Sequence, residues 1–300
     1  MKPSNFQFGS NKYMIYIIIP VFNRLEYTKS CLFSINEQTY KQYKVIVVDH
    51  GSTDGTSEFI YENFPDVHVL QGDESMWWTA ATNLGVQKVL EISDSINDFV
   101  LTLNNDLVVR DNYLEELLKV CEENKPAFVG SVSVDINSRE RVYFAGTLWN
   151  NITAKYRPAV DLGLSLKTLQ KRQDFVVADL LPGRGVLIPI ACIRELGLYN
   201  QRDFPHYMAD EEFSLRCKKQ GYNLLVATKA VVFSHVEETG LKQHHKKMDF
   251  SYWKDFYTSP KSPNNLRTRW NWAKNNTPIP LLYFTFDTAR TLYSQLKVKG

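Results

Sequence analysis

The sequence predicts an α/β protein built on a mostly parallel sheet flanked by helices, with a helical extension at its C-terminal end. Two observations carry this. Up to Pro126, short runs rich in Ile and Val alternate with helix-length segments, and none is joined to the next by a tight hairpin sequence. Each run also ends in a small polar cluster, where an open α/β sheet presents its ligand crevice.

Met14–Val21 (MIYIIIPV) reads as a buried strand stopping near Pro20, with Phe22, Asn23 and Arg24 at its end. Leu25–Gln38 follows as a helix, with Leu25, Leu32 and Ile35 on its inner face. Lys44–Val48 is the second strand; it ends in DHGSTDGT, where Ser52 or Thr53 is placed to cap a helix over Thr56–Asn63. Val67–Gln71 is the third, followed by GDESMWW and a helix around Thr79–Ile92. Phe99–Leu103 is the fourth, running into Asn104, Asn105 and Asp106, with a helix near Asn112–Glu123. Beyond Pro126 the rhythm changes. Ala127–Val134 and Arg141–Trp149 read as strands around a polar loop, and Asn151–Gln173 shows no firm periodicity. Gly183–Ile188 reads as a strand, Pro189–Leu196 as a short helix, and Asp210–Gln220 as a helix with Phe213, Leu215 and Cys217 at apolar positions. Asn223–Ala227 and Ala230–Ser234 are short strands, the second running into His235. The tail has a Ser/Pro/Asn linker (Ser259–Asn265) and an amphipathic stretch, Leu281–Leu296.

An apolar fraction of 44% and a charged fraction of 23% fit a globular chain with a sizeable core. Three hundred residues accommodate one large α/β domain, 1–245, and an extension, 246–300. The net charge of +2 conceals an asymmetry, because 246–300 carries +7 and the remainder −5. Such a tail is expected to meet something anionic, a membrane surface or a polyphosphate. The alternative is a C-terminal helix packed on the body or on a second copy of the chain. Cys31, Cys121, Cys192 and Cys217 have no metal-site spacing and are expected to be buried free thiols in a reducing compartment. Met1–Lys12 lacks the apolar core of a signal peptide, and Tyr13–Phe22 and Leu281–Phe286 are too short to cross a bilayer. The expectation is a cytoplasmic protein, at most peripheral to the inner face of the membrane.

Candidate chemistry sits at the strand ends. Asp49, with Asp54 beyond it, suits a nucleobase imide or a ribose hydroxyl. No GxGxxG or GxxxxGK[ST] follows any strand, which argues against a dinucleotide cofactor and a P-loop. Asp106 beside two amides suits a hard divalent cation that keeps positions open for phosphate oxygens, although an Asn/Asp turn explains the same residues. Gly183-Arg184-Gly185 lets backbone approach a ligand, with Arg184 able to pair with a diphosphate; a tight turn into a strand uses the same glycines. Trp77 and Trp78 either pack inside or stack on the apolar face of a sugar.

Taken in order and at these separations, IIIPVFNR, VVDHGSTDGT, LNNDLVV, PGRGVLI and DEEFSLRCKKQGY resemble the GT-A-fold, family 2 glycosyltransferases over about Tyr13–His235. GDESMWW is similar to a branch containing bacterial rhamnosyl- and related cell-surface glycan transferases. The resemblance implies a Rossmann-like sheet, a nucleotide-sugar donor, a Mn2+ or Mg2+ cofactor and a cell-surface glycan or lipid-linked acceptor. It assigns base binding to Asp49 and the walls of the nucleotide pocket to Pro20 and Asn23; Arg184 and Gly185 remain candidates for the nucleotide on their own chemistry. Asp106 resembles the last carboxylate of a DxD-type metal motif, written NND here, and His235 matches a histidine that completes the metal site in some members. Asp210 aligns with the catalytic base of a Glu-Asp-x-Asp sequence in which Ala209 replaces the first acid, and Glu211 stands beside it. Asp73, Trp77, Trp78 and Glu211 are then the acceptor or sugar contacts. The implied reaction is a single inverting displacement. Two other classes remain: a sugar-phosphate nucleotidyltransferase, which would carry a Gly-rich basic loop after its first strand, and a non-catalytic glycan-binding module. Nothing points to nucleic acid as a partner.

Overall fold

A computed structural model describes residues 12–235 and 249–297, the last two without their side chains. The first half of the chain forms β1 (Ile15–Val21), α1 (Leu25–Asn36), β2 (Tyr43–Asp49), α2 (Thr56–Asn63), β3 (His68–Gln71), α3 (Trp78–Ile92), β4 (Phe99–Thr102), β5 (Leu107–Val109) and α4 (Tyr113–Glu123). The second adds β6 (Ala127–Asp135), β7 (Val142–Phe144), β8 (Thr147–Asn150), β9 (Lys155–Pro158), α5 (Leu166–Arg172), β10 (Phe175–Val177), β11 (Val186–Pro189), α6 (Ile190–Leu196), α7 (Ala209–Lys219) and β12 (Asn223–Ser234). Helices α8 (Phe250–Thr258), α9 (Leu266–Asn276) and α10 (Pro280–Lys297) complete it.

The main sheet runs β3-β2-β1-β4-β11-β6-β12-β10. Strands β3, β2, β1 and β4 are parallel, β11 is antiparallel to both its neighbours, and β12 is parallel to β6. The chain steps outward from β1 to β3 and returns to β4 on the other side of β1. That reversal opens a crevice at the carboxyl ends of β1 and β4. The unbroken apolar runs of these strands follow from burial on both faces. In β1, Tyr16 and Ile18 pack with α3 residues, while Ile15, Ile17 and Ile19 pack with α1 and α4.

Pro20 marks where the sheet parts. Phe99 N–H donates to Met14 C=O and Leu103 N–H to Ile18 C=O, so even-numbered residues of β1 face β4. Pairing between the two strands stops at Ile18↔Thr102. The N–H that proline lacks therefore faces the gap beyond β4, where no ladder partner exists.

Several boundaries differ from expectation. Arg141–Trp149 is two strands, β7 and β8, divided at Gly146 with φ 101°. The stretch without periodicity contains β9, which pairs with β8, and α5. Residues 223–234 form one strand with an irregularity between Ala227 and Val231. The cap of α2 is Gly55 in the left-handed region, without a side-chain bond; Ser52 instead accepts the N–H of Asn23. Leu25 is only half-buried, and Thr28 and Cys31 share the inner face of α1 with Leu32 and Ile35.

The tail packs on the body. Trp272 of α9 and Tyr283 of α10 are each 1% exposed. The indole N–H groups of Trp149 and Trp272 both donate to the Tyr283 hydroxyl, which also meets Tyr156 at 3.1 Å. Arg269 pairs with Asp287 at 2.5 Å inside this joint. The inner face of α10 is thus Tyr283, Phe284 and Asp287, and Leu281, Leu282, Ala289 and Leu292 point outward. The Leu296 side chain and residues 1–11 lie outside the described residues. Among the described residues no helix is long and apolar enough to cross a membrane, and all four cysteines are free and buried.

Candidate active site

The polar clusters of the parallel strands converge on the crevice. After β4 the chain turns through Asn104–Asp106 and enters β5, which leaves β4 to pair with β12. The turn is braced by its own amides: Asn104 Oδ1 accepts the Trp78 indole N–H at 3.1 Å, and Asn105 Nδ2 donates to Thr28 Oγ1 at 3.0 Å. Asp106 is left as the carboxylate of the turn that opens into the crevice. The register Leu107↔Ser234 carries Asp106 and His235 out at the same end of that ladder. His235 rests edge-on against Tyr27, and the Arg24 guanidinium stands 3.6 Å from Asp106 Oδ2. Asn23 and Arg24 both have positive φ, 58° and 67°, a backbone form that costs a non-glycine residue about 1–3 kcal/mol. Asn23 is held there by two bonds to the next loop, from its N–H to Ser52 Oγ and from Thr53 N–H to its Oδ1.

The other wall comes from the turn before α7. Asn83 of α3 accepts the Tyr199 N–H and donates to the Tyr199 carbonyl, and Thr79 Oγ1 donates to the Phe204 carbonyl. These bonds fix the path into His206, Tyr207 and Met208, the last at φ 70° as the cap of α7. Asp210 follows in the first turn, where the helix dipole favours an anion. Its Oδ2 accepts the Gly183 N–H at 2.6 Å and its Oδ1 the Glu211 N–H at 3.0 Å. Burial nevertheless pushes the Asp210 carboxyl above its ordinary value, against the pull of these N–H groups and of Arg184. Glu211 is pushed up further, to about 8, by burial and by the neighbouring Asp210. Glu212 is structural: it pairs with Arg216, whose guanidinium also binds the carbonyls of Leu196 and Leu198.

Asp210 stands between two hollows. One, about 320 Å³, is lined by Arg24, Trp78, Asn104, Asp106, Arg184 and Asp210. The other, about 680 Å³, lies toward the tail and is lined by Tyr156, Arg184, Asp210, Glu211, Arg269 and Arg290. A larger hollow of about 770 Å³ opens at the opposite ends of β2 and β3, where none of the crevice carboxylates reaches.

The model for glycosyl transferase family 2 matches residues 16–172, and that for glycosyl transferase family group 2 matches residues 99–297. The chain belongs to glycosyltransferase family 2. Its fold is GT-A: GalNAc-T7, solved with UDP, GalNAc and Mn2+, superposes with a TM-score of 0.59 at 16% identity, over 75% of this chain and 44% of that one. Glycosyltransferase GlyA of Streptococcus pneumoniae is 27% identical over 165 residues, 54% of this chain and 23% of its own. Glycosyltransferase AglE of Haloferax volcanii is 37% identical over 79 residues, 25% of this chain and 26% of its own. The match spans about a quarter of each of these two relatives.

Within this family 2 fold, the expected residues divide. Asp106, Arg184, Asp210 and Trp78 share the smaller hollow, and Glu211 joins Arg184 and Asp210 in the larger. Asp49 is 2% exposed, and its carboxylate already accepts the N–H groups of Gly51 and Ser52 and the Ser57 hydroxyl. Of its roughly four lone-pair positions about one remains for a base. Gly185 lines neither hollow. It has φ 76° and lies beneath the wall, where an added Cβ would come within 2.6 Å of the Tyr113 hydroxyl and 2.8 Å of Ser131 Oγ. The glycine that permits a close approach at the site is Gly183, and what approaches is the Trp78 ring and Asp210. Asp73 caps its own turn through Ser75, and Trp77 packs on His206 at 5.3 Å instead of lining either hollow. Sequence reasoning missed Tyr156, Arg269 and Arg290, because strand β9 and the tail reach the site only through space.

The raised Glu211 carboxyl makes a stability prediction with a definite sign. Folded chains keep a proton there up to about pH 8, whereas unfolded chains release it near 4.5. Folding therefore binds a proton across that window, and stability falls as pH rises through it. Glu211→Gln is expected to melt several degrees above the unsubstituted chain near pH 8 and level with it near pH 4, read by thermal denaturation across pH.

Proposed function

We propose that the protein is an inverting, metal-dependent glycosyltransferase that moves a sugar from a nucleoside-diphosphate donor to a hydroxyl of a cell-surface glycan or lipid-linked acceptor. One observation carries the reading: Asp106 and Asp210 line one hollow, and Asp210 also lines a second on its other side. A donor in the smaller hollow places its phosphates near Asp106, Arg24 and Arg184. An acceptor in the larger hollow approaches from across Asp210. A hydroxyl entering from the side opposite the leaving diphosphate inverts the anomeric centre in one displacement.

Asp210 takes the proton of that hydroxyl as the oxygen attacks. Its oxygens are aimed by the Gly183 and Glu211 N–H groups, and its raised pKa makes it a better base than a free carboxylate. Trp78, held by Asn104, closes the donor side. Arg24 and Arg184 offer fixed positive charge to the departing diphosphate.

The donor set for a cation is sparse. Among the described residues no group of three His, Cys, Asp or Glu side chains could cage one. One carboxylate and one imidazole fit an ion that draws its other ligands from phosphate and water, as Mg2+ or Mn2+ does. Asp106 and His235 would hold it, and such an ion neutralises charge on the diphosphate. The outward Leu281, Leu282 and Leu292, on a tail of charge +7, support contact with an anionic membrane surface.

The test is a screen of nucleoside diphosphates and their sugars, with and without manganese. Melting temperature is expected to rise for one base, more with the metal, and that donor to be slowly hydrolysed. No response to any nucleotide or donor would remove the reading.

A further inference from the structure

The hollow on the tail side of Asp210 has an unbalanced wall. Its cations are Lys155, Arg184, Arg269 and Arg290, and its carboxylates are Asp210, Glu211 and Asp287. Arg269 is spoken for: Nη1 pairs with Asp287, and Nη2 donates to Asn264 Oδ1 at 2.8 Å. Arg184 lies between the two hollows, where its charge acts on Asp210 and Glu211. Lys155 and Arg290 remain, and neither has a carboxylate within ion-pair distance among the described residues. Glu211 near neutral pH is largely protonated, so the excess of positive charge is greater than the residue count suggests.

Arg290 is also pre-set. Its Nε donates to the Thr153 carbonyl at 3.0 Å, which holds the guanidinium against the turn before β9 and leaves both Nη groups without a hydrogen-bond partner among the described residues. A guanidinium steadied at one edge presents the planar fork that matches a carboxylate or phosphate with two parallel bonds. Lys155, two residues beyond Thr153, adds a point charge to the wall of the same hollow.

Resting on the glycosyltransferase reading, we propose that the acceptor is an anionic saccharide whose carboxylate or phosphate is seated by Arg290 and Lys155. The hydroxyl to be glycosylated then lies on the Asp210 side of the same hollow. A neutral acceptor of the same shape leaves the Arg290 fork unfilled. The site therefore selects by charge.

Glucuronate, glucose 1-phosphate and glucose serve as probes, titrated by calorimetry with and without the nucleoside diphosphate that best raises the melting temperature. Nucleotide in the donor hollow removes phosphate binding there as a confounder. Both anions are expected to bind the loaded protein at least about tenfold more tightly than glucose, and increasingly weakly as salt is raised. A preference for glucuronate assigns the fork to a uronic acid, and one for glucose 1-phosphate to a sugar phosphate. The paired substitution Arg290→Ser and Lys155→Ser, on exposed positions, is expected to abolish the difference between charged and neutral probes while the protein still melts cooperatively. Equal binding of glucose and glucuronate, no anion binding, or an unchanged preference in the paired variant would overturn the proposal. Donor hydrolysis by the unsubstituted protein, measured alongside, keeps the two readings separate: hydrolysis without charge preference refutes the anionic acceptor alone.

Discussion

Asp210→Asn is expected to lower glycosyl transfer by about 10²–10⁴-fold while donor binding persists, the usual loss on removing a general base. The substitution is nearly isosteric. Its carbonyl oxygen keeps the 2.6 Å bond from the Gly183 N–H, so the turn into β11 holds its course. The amide nitrogen cannot accept the Glu211 N–H, which removes one backbone bond worth about 1 kcal/mol. Stability should therefore fall slightly and catalysis steeply. Steady-state transfer against nucleotide affinity separates the two. In the unsubstituted enzyme, the acid limb of kcat/KM should lie above the ordinary carboxylate range, because burial raises the Asp210 pKa and only the ionised form accepts a proton. Full turnover by Asp210→Asn would move the base to its neighbour Glu211 or end the assignment.

Asp106→Asn is expected to cost several kcal/mol of transition-state stabilisation, at least about a hundredfold in rate, if that carboxylate holds the cation. The change alters no bond of the turn, since Asn104 and Asn105 brace it independently through Trp78 and Thr28. It does remove the only salt-bridge partner of Arg24 among the described residues, at 3.6 Å and with the Arg24 side chain 44% exposed, a contact of small energetic weight. The decisive readout is not activity. Manganese should tighten nucleoside diphosphate binding to the unsubstituted protein and have little effect on the variant. A variant as responsive to manganese as its parent would place the ion elsewhere.

How far the sequence disclosed this site follows from what kind of force fixes each part. The strands β1, β2 and β4 were legible because burial on both faces leaves a continuous apolar run, and their polar ends located the crevice. Asp106 and Asp210 were legible as acids at a strand end and a helix start. What eluded reading was the use of each polar group. Asp49 and its fellow strand-end residue Asn104 have the composition of ligand contacts, yet both spend oxygens on their own surroundings, a choice settled by through-space partners such as Ser57 and Trp78. Gly185 shows the same limit. A glycine needed for close approach does not announce whether a ligand or Tyr113 is approaching. The amphipathic period of the tail was legible, but not the face that packs on the body, because α10 buries a hydroxyl, Tyr283, and a carboxylate, Asp287, in preference to its leucines.

The joint around Tyr283 has a direction. An indole N–H can only give a proton, so Trp149 and Trp272 together fill both lone pairs of the Tyr283 oxygen. Its own hydrogen then goes to Tyr156, a residue that lines the larger hollow, and the Tyr156 hydrogen is left for another acceptor. Two tryptophans thereby set the polarity of a phenol that lines the hollow, leaving its hydrogen free to be given to an incoming sugar.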